Sequence, residues 1–156
     1  MRVVSEAMVE LGEGEATELV ARPATEAEYM ELARRKTGAL FRAAAELGAI
    51  AADADAYTVE AFGRYAERVG IAFQIRDDVL DATADADALG KPAGRDAAME
   101  RPSIVQVTDQ SPEEANEQAR EHADDALTAL SLVEIANDRA EEYLQDLAEF
   151  VVVREQ

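Results

Sequence analysis

Cysteine is absent from the 156 residues, so there is no disulfide framework, no thiol nucleophile and no thiolate metal site. No hydrophobic run approaches the length of a transmembrane helix. The N-terminus lacks the apolar core of a signal peptide, and the expectation is a soluble, cytoplasmic protein. Positive charge is scarce, with 15 basic residues against 34 acidic ones and a formal charge of −19. Nucleic acid is thereby excluded as a partner, because phosphate backbones are gripped by lysine and arginine. Most of the carboxylates read as a solvated, halophile-like surface that helps solubility. Lysine is scarcer still: 13 of the basic residues are arginine, and Lys36 and Lys91 are the two lysines. Retaining two compact ammonium groups points to places that need one.

What is present is helix-forming. Alanine, glutamate and leucine dominate, and strand formers rarely alternate, which predicts an all-α domain long enough to bury a core. A first helix is predicted from about Ser5 to Leu19, interrupted near Gly12 and Gly14. Thr25 and Glu28 form a capping-box signature. It opens a helix that carries Tyr29, Leu32, Lys36, Leu40 and Ala44 to about Ile50. After a turn at Asp53 to Asp55, a helix from about Ala56 carries Val59, Phe62, Tyr65, Ala66, Val69 and Phe73 to Leu80. Asp85, Asp87, Gly90, Pro92, Gly94, Asp96 and Pro102 predict an ordered loop from Ala82 to Pro102. Ser111-Pro112-Glu113-Glu114 caps a helix running to about Val133. A last helix spans about Asp138 to Val153, with Tyr143, Leu144, Leu147, Phe150 and Val151 on its apolar side. Tyr29, Phe41, Phe62 and Phe73 are expected in the core, and His122 on an acidic surface without a role.

The chemistry concentrates where the third predicted helix ends, at Phe73-Gln74-Ile75-Arg76-Asp77-Asp78-Val79-Leu80-Asp81. On a 3.6-residue helix Asp77 and Asp81 lie one turn apart, Asp78 one residue round, and Gln74 one turn earlier. Carboxylates this close repel one another unless a cation neutralises them. An oxygen-only set suits Mg2+, which takes one or two carboxylates and completes its shell with water and substrate phosphates. The cluster reads as a magnesium–diphosphate site.

These residues resemble the second aspartate-rich motif of the trans-polyprenyl diphosphate synthases, the farnesyl and geranylgeranyl diphosphate synthase type. Tyr29 followed by Lys36-Thr37-Gly38-Ala39-Leu40-Phe41 resembles the family's lysine–threonine motif. Leu89-Gly90-Lys91-Pro92 and Gly94-Arg95-Asp96 resemble its Gly-Lys loop. Gly14-Glu15 and Glu18 resemble its Gly-Gln segment, with glutamates where glutamine and aspartate are common. The order agrees from about Val9 to Ser103. The resemblance implies an isoprenoid-synthase helical bundle that condenses an allylic prenyl diphosphate with isopentenyl diphosphate, with Mg2+ as cofactor. It implies Asp77 and Asp78 as magnesium ligands, with Asp81 direct or through water. By the same resemblance Lys36 and Lys91 would contact diphosphate, and Thr37 and Gln74 would face the cationic carbons. Arg101 stands where the family commonly has a lysine, and would be a further diphosphate contact.

The family's first aspartate-rich motif has no counterpart here: 35 residues precede Lys36 and none spells DDxxD. Asp124-Asp125 lie downstream without the spacing. The expectation is a domain equivalent to the C-terminal half of a synthase, from a truncated or split gene, needing the other half for full activity. The alternative is a non-catalytic helical partner that assembles with a complete synthase. Either way, apolar faces left without neighbours predict a homo-oligomer or association with a complementary half.

Overall fold

Apolar residues recurring every three or four positions, punctuated by caps, fold into helices, and helix is the sole regular structure among the described residues. The computed structural model describes residues 2–20, 23–88 and 104–153. The elements are α1 (Arg2–Val20), α2 (Glu26–Ala33), a π segment (Arg34–Gly38), α3 (Ala39–Ala51), α4 (Ala56–Ala88), α5 (Ile104–Thr108), α6 (Pro112–Leu130) and α7 (Asp138–Val153). The all-α expectation holds. No helix among the described residues is long and apolar enough to cross a membrane.

Caps set most boundaries. Thr25 is extended and its hydroxyl accepts from the Glu28 N–H at 3.3 Å. Glu28 reaches back to the Ala24 N–H at 2.8 Å rather than to that of Thr25, so the box closes one residue further out. At α6 the capping box is complete: Ser111 Oγ accepts from the Glu114 N–H at 3.2 Å and Glu114 Oε2 from the Ser111 N–H at 2.8 Å. Ser111→Ala is expected to cost about 1 kcal/mol. Urea unfolding should register this as a lower midpoint at constant m.

α4 is the central rod, with α6 on one side, α3 and the π segment on the other, and α7 beside it. One apolar cluster joins Tyr65, Ala66, Val69 and Ala72 of α4 to Ala126, Ala129 and Leu130 of α6 and to Ala148 and Val151 of α7. Tyr65 Oη also donates to the Leu144 carbonyl at 2.7 Å. A second cluster joins Tyr29 and Ala33 to Ile71, Ile75 and Val79 of α4, Ile104 of α5, and Ala115 and Ala119 of α6. The alanines keep side-chain bulk low where helices cross, which permits short interaxial distances. Each fully buried side chain such as Ile75 or Ile104 stabilises by about 1.5–3 kcal/mol. That second cluster makes a stiff floor beneath the acidic residues.

Four sequence expectations are corrected. α1 runs unbroken through Gly12 and Gly14. Gly14 serves close approach, since a Cβ there would lie 2.9 Å from Lys36 Cγ. α4 continues to Ala88, so the 82–88 stretch is helix and not loop. Alanines alternate with aspartates there, and the first helix breaker is Gly90. α6 stops at Leu130, short of Val133. On α7 the inward stripe is Leu144, Ala148, Val151 and Val152, whereas Tyr143, Leu147 and Phe150 are 57%, 42% and 60% exposed. Both stripes have helical spacing, and periodicity alone does not choose between them.

Candidate functional site: a hydrogen-bonded relay beside two exposed carboxylates

The rod formed by α2 and α3 widens at Arg34–Gly38, where the Ala39 N–H bonds to the Arg34 carbonyl, five residues back. Such π-turns recur at functional sites because they re-aim side chains within a helix. Here the turn carries Lys36 and Thr37. Gly38 faces Gly70 of α4 so closely that a Cβ on Gly70 would lie 3.0 Å from Gly38 Cα. That crossing brings Thr37 to α4, and its Oγ1 donates to Gln74 Oε1 at 2.8 Å.

A chain of hydrogen bonds continues from there. Gln74 Nε2 donates to Asp78 Oδ1 at 2.9 Å. Tyr29 Oη donates to Asp78 Oδ2 at 2.5 Å, and the Ile104 N–H reaches the same oxygen at 3.3 Å. Asp78 thus ties α2, α4 and α5 together. Burial pushes its carboxyl above the ordinary value, while the bonds from Tyr29, Gln74 and Ile104 pull the other way. Tyr29 is 2% exposed. Burial, then the charge of Asp78, hold its phenol far above the ordinary value, so it stays a donor.

Asp77 and Asp81 differ from Asp78 in being exposed. They sit one turn apart on α4, at i and i+4. Among the described residues no three acidic or histidine side chains converge as a metal cage. Two exposed carboxylates are nonetheless the donor set from which Mg2+, with water and phosphate oxygens, is commonly held.

Lys36 points the other way, toward α1. Its Nζ lies 2.6 Å from Glu18 Oε2 and 3.4 Å from Glu15 Oε1, and the side chains of Lys36 and Glu18 are each 15% exposed. Arginines fix this neighbourhood. Arg34 pairs with Glu10 and Glu31, and Arg35 with Glu13 and Glu31, lashing α1 to the π segment. Hydrogen bonding to Arg34, with Arg35 adding to it, holds Glu31 down to about 2 despite some burial. Exposed pairs of this kind are individually worth about 0–1 kcal/mol, so their importance is register, delivering Glu18 to Lys36.

Of the predicted site residues, Thr37, Gln74 and Asp78 are linked directly, Asp77 and Asp81 lie beside them on α4, and Lys36 is held by α1 glutamates. Lys91 and Arg101 lie outside the described residues. Sequence reasoning counted Tyr29 in the lysine–threonine motif and expected it in the core without a role of its own, and its hydroxyl proves to be the far end of the relay. The signal was its place one helical turn-pair before Lys36 in the same motif. Glu18 was also missed as a lysine partner. His122 is half-buried, and its Nδ1 lies 3.1 Å from Arg68 Nη1. Burial, then the Arg68 charge, hold it below its ordinary value.

A family model described as Polyprenyl synthetase matches residues 1–138. A short chain isoprenyl diphosphate synthase of Methanocaldococcus jannaschii is 40% identical over 110 residues, which is 69% of this chain and 33% of that protein. A farnesyl diphosphate synthase of Escherichia coli is 37% identical over 126 residues, 78% of this chain and 40% of that protein. Among solved structures, geranylgeranyl pyrophosphate synthetase from Pyrococcus horikoshii superposes with a TM-score of 0.82 at 31% identity, covering 99% of this chain and 58% of that one. A polyprenyl synthase from Caulobacter crescentus complexed with calcium and isoprenyl diphosphate gives a TM-score of 0.82 at 28% identity, covering 99% and 58%. The chain thus spans about a third to two fifths of these curated relatives.

Proposed function

This chain belongs to the polyprenyl synthetase family, and we propose that it forms one side of a prenyl diphosphate site, equivalent to the C-terminal half of a synthase. The observation that carries the reading is the Thr37–Gln74–Asp78–Tyr29 chain lying directly beside the exposed pair Asp77 and Asp81. The full reaction condenses an allylic prenyl diphosphate with isopentenyl diphosphate. The allylic C–O bond breaks and its electron pair leaves with diphosphate. The isopentenyl double bond then forms the new C–C bond, and a proton is lost. Mg2+, when bound, would neutralise the departing diphosphate.

Each residue then has a task. Asp77 and Asp81 would hold Mg2+, with Asp78 fixing the helix from behind through bonds to both of its oxygens. This reading differs from the sequence expectation, which had Asp77 and Asp78 as the ligands with Asp81 direct or through water. Lys36 would meet diphosphate by exchanging Glu18 for a phosphate oxygen, and Lys91 and Arg101 would be further diphosphate contacts. Thr37 and Gln74 present oxygens to the cationic carbons, where preorganised dipoles act most strongly. The calcium and isoprenyl diphosphate carried by the Caulobacter crescentus synthase support the same ligand chemistry.

A second reading, assembly without catalysis, is favoured by the exposed Tyr143, Leu147 and Phe150 stripe on α7. The two readings separate in one assay. The chain is mixed with Mg2+, an allylic diphosphate and isopentenyl diphosphate, with and without the portion of the Escherichia coli relative that lies outside its match. Products one isoprene unit longer are expected in the mixture, and their loss in Asp77→Ala. A mixture that forms a complex and yields no product would leave assembly as the function.

A further inference from the structure

The relay from Tyr29 to Thr37 has a direction, and donor–acceptor chemistry fixes it. An ionised carboxylate only accepts. Asp78 Oδ2 takes the Tyr29 proton, so the group 2.9 Å from Oδ1 has to be the NH2 of Gln74, not its oxygen. The amide oxygen of Gln74 is thereby turned to Thr37. Thr37 has one hydroxyl proton and spends it on that oxygen at 2.8 Å. What Thr37 has left to offer its surroundings is lone pairs. A threonine that points lone pairs at a neighbouring centre stabilises positive charge, and one that points its proton there opposes it.

We propose that Tyr29 is a positioning residue: through Asp78 and Gln74 it sets the polarity of the Thr37 hydroxyl, making it an obligate acceptor toward an electron-poor carbon. The inference rests on the reading of the site as one that generates an allylic cation. Its physical basis is that Asp78 needs a second anchor. The Ile104 N–H at 3.3 Å is a long bond. The Tyr29 phenol, rigid and 2% exposed among Ala33, Ile75, Ile104 and Ala115, is the firm one. Without it the carboxylate is free to turn about its Cβ–Cγ bond. The carboxylate still only accepts, but it is no longer held where the Gln74 NH2 meets it, so the amide is less firmly oriented and Thr37 is freer to rotate its proton outward.

Tyr29→Phe removes one oxygen and keeps the ring. In isotopically labelled protein, solvent exchange of the Gln74 side-chain amide protons should speed up by about tenfold, the equivalent of one lost hydrogen bond. Asp78→Asn is the companion variant. An asparagine that accepts from Tyr29 turns its own NH2 to Gln74 and reverses the amide, which should bring the Gln74 NH2 within nuclear Overhauser range of the Thr37 methyl group. This variant decides the matter should Tyr29→Phe not fold. In the complementation mixture, Tyr29→Phe should lower kcat about tenfold or more with KM for the allylic diphosphate unchanged; a purely structural role would not produce that split. Wild-type Gln74 exchange in folded Tyr29→Phe, or an unreversed amide in Asp78→Asn, would overturn the proposal. Absence of turnover in the wild-type mixture would sink the catalytic reading instead, leaving the amide measurements to judge the relay alone.

Discussion

Alanine at position 77 is expected to weaken magnesium-dependent pyrophosphate binding by at least about 10- to 100-fold. Loss of an outer-shell partner alone costs that much at many metal sites, and Asp77 is assigned as a direct ligand. Stability should barely change. Asp77 is exposed on α4, and surface substitutions outside special features usually fall within about 0.5 kcal/mol. In a chain of formal charge −19, removing one carboxylate relieves some repulsion when no metal is present. Asp124→Ala is the matched control. It deletes the same charge from an exposed position on α6, and binding should survive it. Titration calorimetry at fixed Mg2+ separates the two variants, and equal weakening would mean that net charge, not ligation, had been measured.

The second large effect is expected at Gly70. A Cβ there would lie 3.0 Å from Gly38 Cα and 3.1 Å from Phe41 Cγ, with backbone on one side and a ring on the other. A leucine has nowhere to go. Overpacking of this kind costs about 1–3 kcal/mol, while leaving glycine behind in a helix returns about 0.5–1 kcal/mol. The net expectation for Gly70→Leu is a loss of about 1 kcal/mol, seen in urea unfolding. The π segment would also be pushed off α4, breaking the Thr37–Gln74 bond, so diphosphate chemistry should suffer beyond the loss of stability. Gly12→Ala provides the contrast, because nothing lies within 4 Å of its would-be Cβ. It should stabilise by about 0.5–1 kcal/mol through backbone entropy. If Gly70→Leu unfolds at the wild-type midpoint, the glycine crossing does not position the site.

Much of the fold was legible because local chemistry dictates it. Ser111-Pro112 and Thr25 announce helix starts through their caps. At Asp53, where φ is 58°, the chain turns in a left-handed conformation that aspartate tolerates better than most residues. The π-turn was not legible. It ends where Gly38 packs closely against Gly70, a tertiary match between residues far apart in sequence. α7 misled because two apolar stripes, one residue apart, share its surface. At the site, residue types and order named Lys36, Thr37, Gln74 and the three aspartates. They did not reveal that Asp78 has a buried phenol behind it, since tyrosine in an apolar stripe looks like packing until its hydroxyl finds a carboxylate. Nor did they reveal the Lys36–Glu18 pair, which depends on α1 being lashed alongside by arginines.

The most direct measurement is calorimetric titration of inorganic pyrophosphate into the wild-type chain, with and without Mg2+. A protein this acidic should repel a polyanion, so binding requires local neutralisation by Lys36 and by metal at Asp77 and Asp81. Saturable binding at one site per chain is expected with Mg2+, at least about tenfold weaker without it and weakened about 10- to 100-fold in Asp77→Ala. Binding that ignores Mg2+, or that persists undiminished in Asp77→Ala, would contradict the assignment of this helix face as a magnesium–diphosphate site.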